Sequence, residues 1–216
     1  LTIEAFDLAF KYRNPVLVLG DAIIGQMKEP VTTWTPEHIV ADESADWGLS
    51  GAKNRSKRLI KSLFLEDGAL AGHNLRLKEK YERMRAEVRY ETFETDDAEL
   101  VVVAFGSIGR IAKSAVRKLR KIGHKVGLFR PITLYPFPSA ELKRLEQSTA
   151  LFYVVEMSTG QMVDDVRLAV EGARPIEFYS RVGGNVPSAE EIFEKVIQSI
   201  DTRAAGWSRR APAPII

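Results

Sequence analysis

Four short apolar runs recur through the second half of the chain: LVVVAFG (100–106), KVGLFRP (125–131), ALFYVVEM (150–157) and PIEFYSR (175–181). They are largely unbroken where a half-exposed strand would alternate apolar with polar, so both faces of each strand must be covered. Helical stretches separate them. The pattern predicts an α/β fold: an open, mostly parallel sheet with helices on both faces and right-handed crossovers. After the first run, Ile108, Ile111, Ala112, Ala115, Val116, Leu119 and Ile122 keep the i, i+3, i+4, i+7 spacing of a buried helix face. The last helix opens with a capping box, Ser188 with Glu191, and turns Ile192, Phe193, Val196, Ile197 and Ile200 inward. This unit is expected to span residues 97–201, with a Pro-, Ala- and Arg-rich tail over 202–216, disordered or docked on another surface.

Residues 1–96 read differently. LTIEAFDLAFKYRN (1–14) is a helix with Ile3, Phe6, Leu8 and Phe10 near one face, and PVLVLGD (15–21) is a short buried strand that leads into a helix start, AIIGQM. A helix, a strand and a helix start do not close a domain, so these residues read as the end of a larger α/β unit. KEPVTTWTPEH is expected to be extended or looped. In KNRSKRLIKS, Lys53, Arg55, Lys57, Arg58 and Lys61 form either an anion- or partner-docking patch or a solvated helix face, and no aromatic interleaving supports base stacking. Residues 68–87 form an amphipathic helix, and VRYETFE (88–94) an edge strand leading into the second domain.

Charge and composition remove several functions. The 31 basic and 29 acidic residues of the 216 nearly cancel, to a formal +2, which argues against a nucleic-acid binder working through phosphates. With no cysteine, the chain supplies no disulfide, thiolate nucleophile or cluster ligand. His38, His73 and His124 share no ligand spacing, so no metal site is expected. No apolar stretch reaches the ~20 residues that span a bilayer, and a soluble, cytoplasmic protein is expected.

The run at 100–106 breaks at Gly106 and restarts as a helix. Gly106-Ser-Ile-Gly109 lacks one glycine of a dinucleotide fingerprint. Ala112 stands where a P-loop needs glycine before Lys113-Ser114, and no G-x-S-x-G elbow is present. What remains is either a structural corner or a helix start that favours an anion, with Ser107 and Arg110 at hand. The corner recurs at Ser158–Gly160, and the triplet Gly-Gln-Met appears at both 25–27 and 160–162. The carboxyl ends of the strands should gather Ser107, Arg110, Arg130, Thr133, Glu156, Ser158, Gln161 and Arg181 on one edge for anion or partner docking, with Arg130 and Glu156 as an ion pair. No acid–base dyad accompanies a nucleophile, so no residue is assigned as catalytic.

Taken together, RNPVLVLGDAIIGQMKEPV, IKSLFL, GHNLRLKEKYERM, VVVAFGSIGRIAKSAV, KVGLFRPITLYPFP, VVEMSTGQMVDDVRLAV and EFYSRVGGNVPSAEEI resemble the alpha subunit of 2-oxoacid:ferredoxin oxidoreductases over residues 10–200. The resemblance is greatest to the branched-chain (2-oxoisovalerate) and 2-oxoglutarate members, and IKSLFLEDGALAGHN leans to the former. It implies oxidative decarboxylation of a 2-oxoacid on thiamine diphosphate, with electrons passing through a [4Fe–4S] cluster to ferredoxin and the acyl group to coenzyme A. It implies that residues 1–96 end a pyrimidine-binding domain and that 97–201 form a transketolase C-terminal-like domain. It places thiamine diphosphate, Mg and cluster mainly on a beta subunit, with gamma and delta subunits as further partners and no nucleic acid or membrane. Asp21, Gln26 and Met27 would lie near the thiamine seam, and the fragment alone would be inactive. Two other readings stand beside it: a stand-alone CoA- or nucleotide-binding Rossmann-like module using the Ser107–Arg110 turn, and a non-catalytic scaffold.

Overall fold

The computed structural model describes residues 1–30, 32, 47–49 and 51–208. The chain divides into two compact units, Leu1–Ala86 and Glu87–Ile216. The sequence boundary at 96/97 follows the edge strand, whereas the units part ten residues earlier and leave that strand in the second one.

In the first unit, α1 (Thr2–Tyr12), α2 (Ala22–Gln26) and α3 (Ala69–Met84) are helical. Arg13 ends α1 in the left-handed region at φ 46°, where its N–H reaches Phe10 O and the Asn14 N–H reaches Ala9 O. The Phe10 ring meets Trp47 at 4.8 Å. The buried strand expected over 15–21 is absent: residues 15–20 are irregular, with Leu17 83% and Leu19 70% exposed. A strand needs a neighbour to take its backbone hydrogen bonds, and no strand of the described residues in this unit lies beside it. The helix face offered as one reading of 53–62 is not helical either; Asn54 turns at φ 63°, and the Arg58 guanidinium donates to Gly48 O at 2.6 Å. Most of KEPVTTWTPEH, with His38, lies outside the described residues.

The second unit is a five-stranded sheet in the order β1-β3-β2-β4-β5. Its strands are β1 (Tyr90–Phe93), β2 (Leu100–Val103), β3 (Val126–Pro131), β4 (Leu151–Glu156) and β5 (Ile176–Ser180). Only β1 runs antiparallel, on the edge beside β3; the other pairings are parallel. The intervening helices are α4 (Gly106–Lys121), α5 (Ser139–Leu145) and α6 (Gln161–Val170), with α7 (Ala189–Ser208) at the end.

Alternate residues of the central strands enter two separate cores. Leu100, Val102, Leu128, Tyr153 and Val155 pack with Ile108, Val116 and Leu119 of α4 and with Ile192 and Val196 of α7. Val101, Val103, Phe129, Phe152 and Val154 pack with Leu142 and Leu145 of α5 and with Val163 and Val166 of α6. This double covering is why the runs are unbroken. From β2 to β3 the chain crosses over the first face. It then returns past β2 to β4 and on to β5 over the second face, so the three crossovers share one hand. The Ser188 hydroxyl accepts the Glu191 N–H at 3.1 Å, as the capping box requires. The last helix runs to Ser208, past the end expected near Asp201; the tail from 209 lies outside the described residues. No helix among the described residues is long and apolar enough to cross a membrane.

Gly127 in β3 has no room for a side chain. A Cβ there would lie 2.7 Å from Glu94 O and 3.0 Å from Thr95 Cγ2. Since the nearest atom is backbone, Gly127→Ala is expected to destabilise the second unit by about 2 kcal/mol or more, read as a lower midpoint in urea unfolding.

Candidate functional site

β2 and β4 are neighbours at the centre of the sheet, and a helix starts immediately beyond each. Polar chemistry therefore concentrates at these two carboxyl ends, and the two corners are built differently.

At the β4 corner, Glu156 is 1% exposed, a carboxylate surrounded by core. Its Oε1 accepts the Val163 N–H at 2.8 Å, and its Oε2 accepts the Met162 N–H at 3.1 Å and the Ser158 hydroxyl at 2.5 Å. Gly160, the N-cap of α6, sits at φ 115° and offers no side chain. Glu156 thus serves the first turn of α6 from the preceding strand, where a negative charge meets the positive end of the helix dipole. Gln161 is exposed and donates to Thr159 Oγ1 at 3.3 Å. Burial, together with Asp164 and Glu156 nearby, pushes the Asp165 carboxyl above the ordinary range.

At the β2 corner, Gly106 turns at φ 59° and α4 begins. Phe105 is the N-cap and gives no side-chain acceptor; the first turn holds no acid. Ser107 is 7% exposed and its hydroxyl meets no partner among the described residues. Arg110 is exposed on the same turn.

The expected Arg130–Glu156 ion pair does not form. β2 lies between β3 and β4, so the two backbones stand roughly 10 Å apart, two strand spacings. Arg130 faces the other way in the sheet order, opposite Glu91 on β1, and its Nη1 reaches Glu91 Oε2 at 3.0 Å. Thr133 also turns to that edge, its hydroxyl accepting the Arg89 N–H at 2.9 Å. Glu91 carries no sequence signal as a partner, because β1 pairs antiparallel with a strand some forty residues later. Gly109 was equally silent: a Cβ there would press at 3.0 Å on Arg130 Cδ, so this glycine lets the arginine lie against the first turn of α4.

A third cluster closes the β5 end. Arg181 Nε donates to Glu191 Oε1 at 2.8 Å and to the Tyr179 hydroxyl oxygen at 3.1 Å, while that hydroxyl donates to Glu191. The Tyr179 hydroxyl and the Arg181 guanidinium hold the Glu191 carboxyl below the usual range.

Asp21, Gln26 and Met27 stay in the first unit. The Asp21 carboxylate accepts the Ile24 N–H at 2.8 Å as N-cap of α2, while Gln26 and Met27 are exposed. The repeated triplet is no repeated corner: Gly25-Gln26 closes a helix, whereas Gly160-Gln161 opens one. Among the described residues no three His, Cys, Asp or Glu side chains converge as a metal ion needs. With its carboxylate spent on a helix cap, Asp21 and its two exposed neighbours do not fit a diphosphate–magnesium or cluster site.

Residues 98–192 match the family described as pyruvate:ferredoxin oxidoreductase core domain II. The chain is 46% identical over 198 residues to the ketoisovalerate oxidoreductase subunit VorB of Methanothermobacter thermautotrophicus, covering 91% of this chain and 55% of that protein. It is 30% identical over 224 residues to the 2-oxoglutarate synthase subunit KorA of Methanocaldococcus jannaschii, covering 91% and 59%. The chain therefore spans about half the length of the curated relatives it matches. Among solved structures it resembles 2-oxoglutarate:ferredoxin oxidoreductase from Magnetococcus marinus, determined with 2-oxoglutarate, coenzyme A and succinyl-CoA bound. That match has a TM-score of 0.56 at 20% identity over 64% of this chain and 24% of that one, a likeness of fold.

Glu156→Gln keeps the shape of the β4 corner but turns an amide N–H₂ toward groups that themselves donate. A loss of about 2 kcal/mol is expected, measured by urea unfolding. Glu191→Gln tests the third cluster. A depressed carboxyl contributes stability above its unfolded pKa and loses it as pH falls through the folded value. The variant should therefore lose stability less steeply than the parent between about pH 5 and pH 3, followed by thermal unfolding.

Proposed function

Because the chain belongs to the subunit family of the 2-oxoacid:ferredoxin oxidoreductases, we propose that it is part of the alpha subunit of an enzyme oxidatively decarboxylating a 2-oxoacid to an acyl-CoA. Ferredoxin takes the electrons. The observation that carries this reading is 46% identity extending over 91% of the chain, through both units. A stand-alone nucleotide or CoA module using the Ser107–Arg110 turn, or a scaffold without chemistry, is not favoured, since the likeness is not confined to one turn.

In this reading the substrate is a branched-chain 2-oxoacid, supported by the higher identity to the ketoisovalerate than to the 2-oxoglutarate relative. Residues 1–96 end a pyrimidine-type domain and 97–201 form a transketolase C-terminal-like domain. Thiamine diphosphate supplies the decarboxylation chemistry. It is held with Mg and the [4Fe–4S] cluster mainly by a beta subunit, and gamma and delta subunits complete a cytoplasmic hetero-oligomer. This chain contributes structure and interface: Asp21, Gln26 and Met27 toward the thiamine seam, with Asp21 acting through its helix cap, and the edge with Ser107, Arg110, Arg130, Glu156 and Gln161 toward an anion or partner.

The test is co-expression of the full-length chain with a cysteine-bearing beta-type subunit, followed by CoA-dependent viologen reduction. Turnover is expected with 2-oxoisovalerate, at a kcat/KM about tenfold or more above that for 2-oxoglutarate, and none from residues 1–216 alone. No turnover with any 2-oxoacid would overturn the enzyme reading; preference for 2-oxoglutarate would overturn the substrate.

A further inference from the structure

The sheet reverses direction between β2 and β4. The chain leaves β2 toward β3 on one side, and leaves β4 toward β5 on the other, although β2 and β4 are paired. In open α/β sheets the crevice beyond the strand ends at such a reversal is where ligands settle. Here it is flanked by the first turns of α4 and α6.

One of these turns shows what the geometry accepts. At α6 a carboxylate, that of Glu156, takes two amides and a hydroxyl. At α4 the same kinds of donor are present without an internal acceptor. The first hydrogen bond of that 16-residue helix is from Gly109 N to Phe105 O at 3.1 Å. The amides of Gly106, Ser107 and Ile108, which precede it, meet no acceptor among the described residues. The Ser107 hydroxyl, in the same turn, is buried and unpartnered.

Arg130 adds charge to the same place. Its Nε is buried without a partner, and its Cδ lies 3.0 Å from the position a Cβ would take on Gly109. The Glu91 carboxylate meets its Nη1, yet a cation beside the positive end of a helix is unfavourable. A shared anion reverses the sign of both contributions. Gly106 itself borders open space, since nothing lies within 4 Å of where its Cβ would stand.

We propose that the β2–α4 corner binds a small oxyanion, the phosphate or carboxylate group of a small molecule. The amides of residues 106–108 and the Ser107 hydroxyl donate to it, and the Arg130 guanidinium balances its charge. The site rests on the anion-docking edge of the proposed function and gives it a ligand class; every group in it belongs to this chain, so its test does not depend on oxidoreductase turnover.

The test is amide NMR of the ¹⁵N-labelled chain titrated with inorganic phosphate, and separately with acetate, against sodium chloride at matched ionic strength. Saturable shifts of the Gly106, Ser107 and Ile108 amides are expected, half-complete at or below about 10 mM, while the Met162 and Val163 amides stay put. Saturation by phosphate or by acetate distinguishes the two anion classes. Arg130→Gln should weaken binding about tenfold or more, as expected for loss of a charge-assisted contact. If Arg130→Gln loses the native spectrum, Ser107→Ala is read in its place and should weaken binding about threefold or more. Amides that do not move, that follow chloride equally, or that titrate alike in the parent and the readable variant would overturn the site.

Discussion

β2 and β4 are covered on both faces, and this constraint governs where the second unit can carry anything but hydrocarbon. Every residue of both strands is buried, and their alternate side chains are committed to opposite cores. A polar group within either strand would have to be satisfied inside a low-dielectric layer. The strand ends are the exception, because the first turn of the following helix supplies amide donors there. Glu156 is the limiting case: a carboxylate as buried as the valines before it, tolerated because two amides and a hydroxyl replace the water it lost.

The contrast between the two central corners follows from what each strand delivers to its end. β4 closes on an acid, so α6 is served from within the chain. β2 closes on Val103, and the corner beyond it on Ala104, Phe105 and Gly106, none of which carries a side-chain acceptor. The positive end of α4 is instead approached by an arginine from the neighbouring strand. The family match over residues 98–192 encloses both corners.

How much of this was legible in the sequence varied with the range of the interactions. The five strands of the second unit, the edge position of β1 and the Ser188–Glu191 cap were legible because burial on two faces, alternation on one and a local hydrogen bond all leave a short-range pattern. PVLVLG carries the same pattern and is no strand, since the pattern reports a capacity for burial and not the presence of neighbours. The Arg130–Glu156 pairing failed for a related reason: strand order is a long-range property, and β2 intervenes. The Gly-Gln-Met triplet misled because three residues do not specify whether a helix is opening or closing. Gly109 and Gly127 look like ordinary glycines in sequence, yet a side chain would meet Arg130 Cδ and the nearby Ala104 O at the first and Glu94 O at the second.

The antiparallel edge strand acquires a purpose in this light. Its register sets Glu91 directly across from Arg130, and the resulting ion pair engages only the distal end of the guanidinium, at Nη1. A cross-strand pair of this kind, half exposed, contributes a few tenths of a kcal/mol, too little to explain an arginine whose Nε is buried. Its effect is on direction. With the distal nitrogen tied to β1 and the stem lying against Gly109, the side chain has little freedom to swing into solvent. β1 thereby holds a positive charge beside the one helix start of the central pair that has no acid of its own.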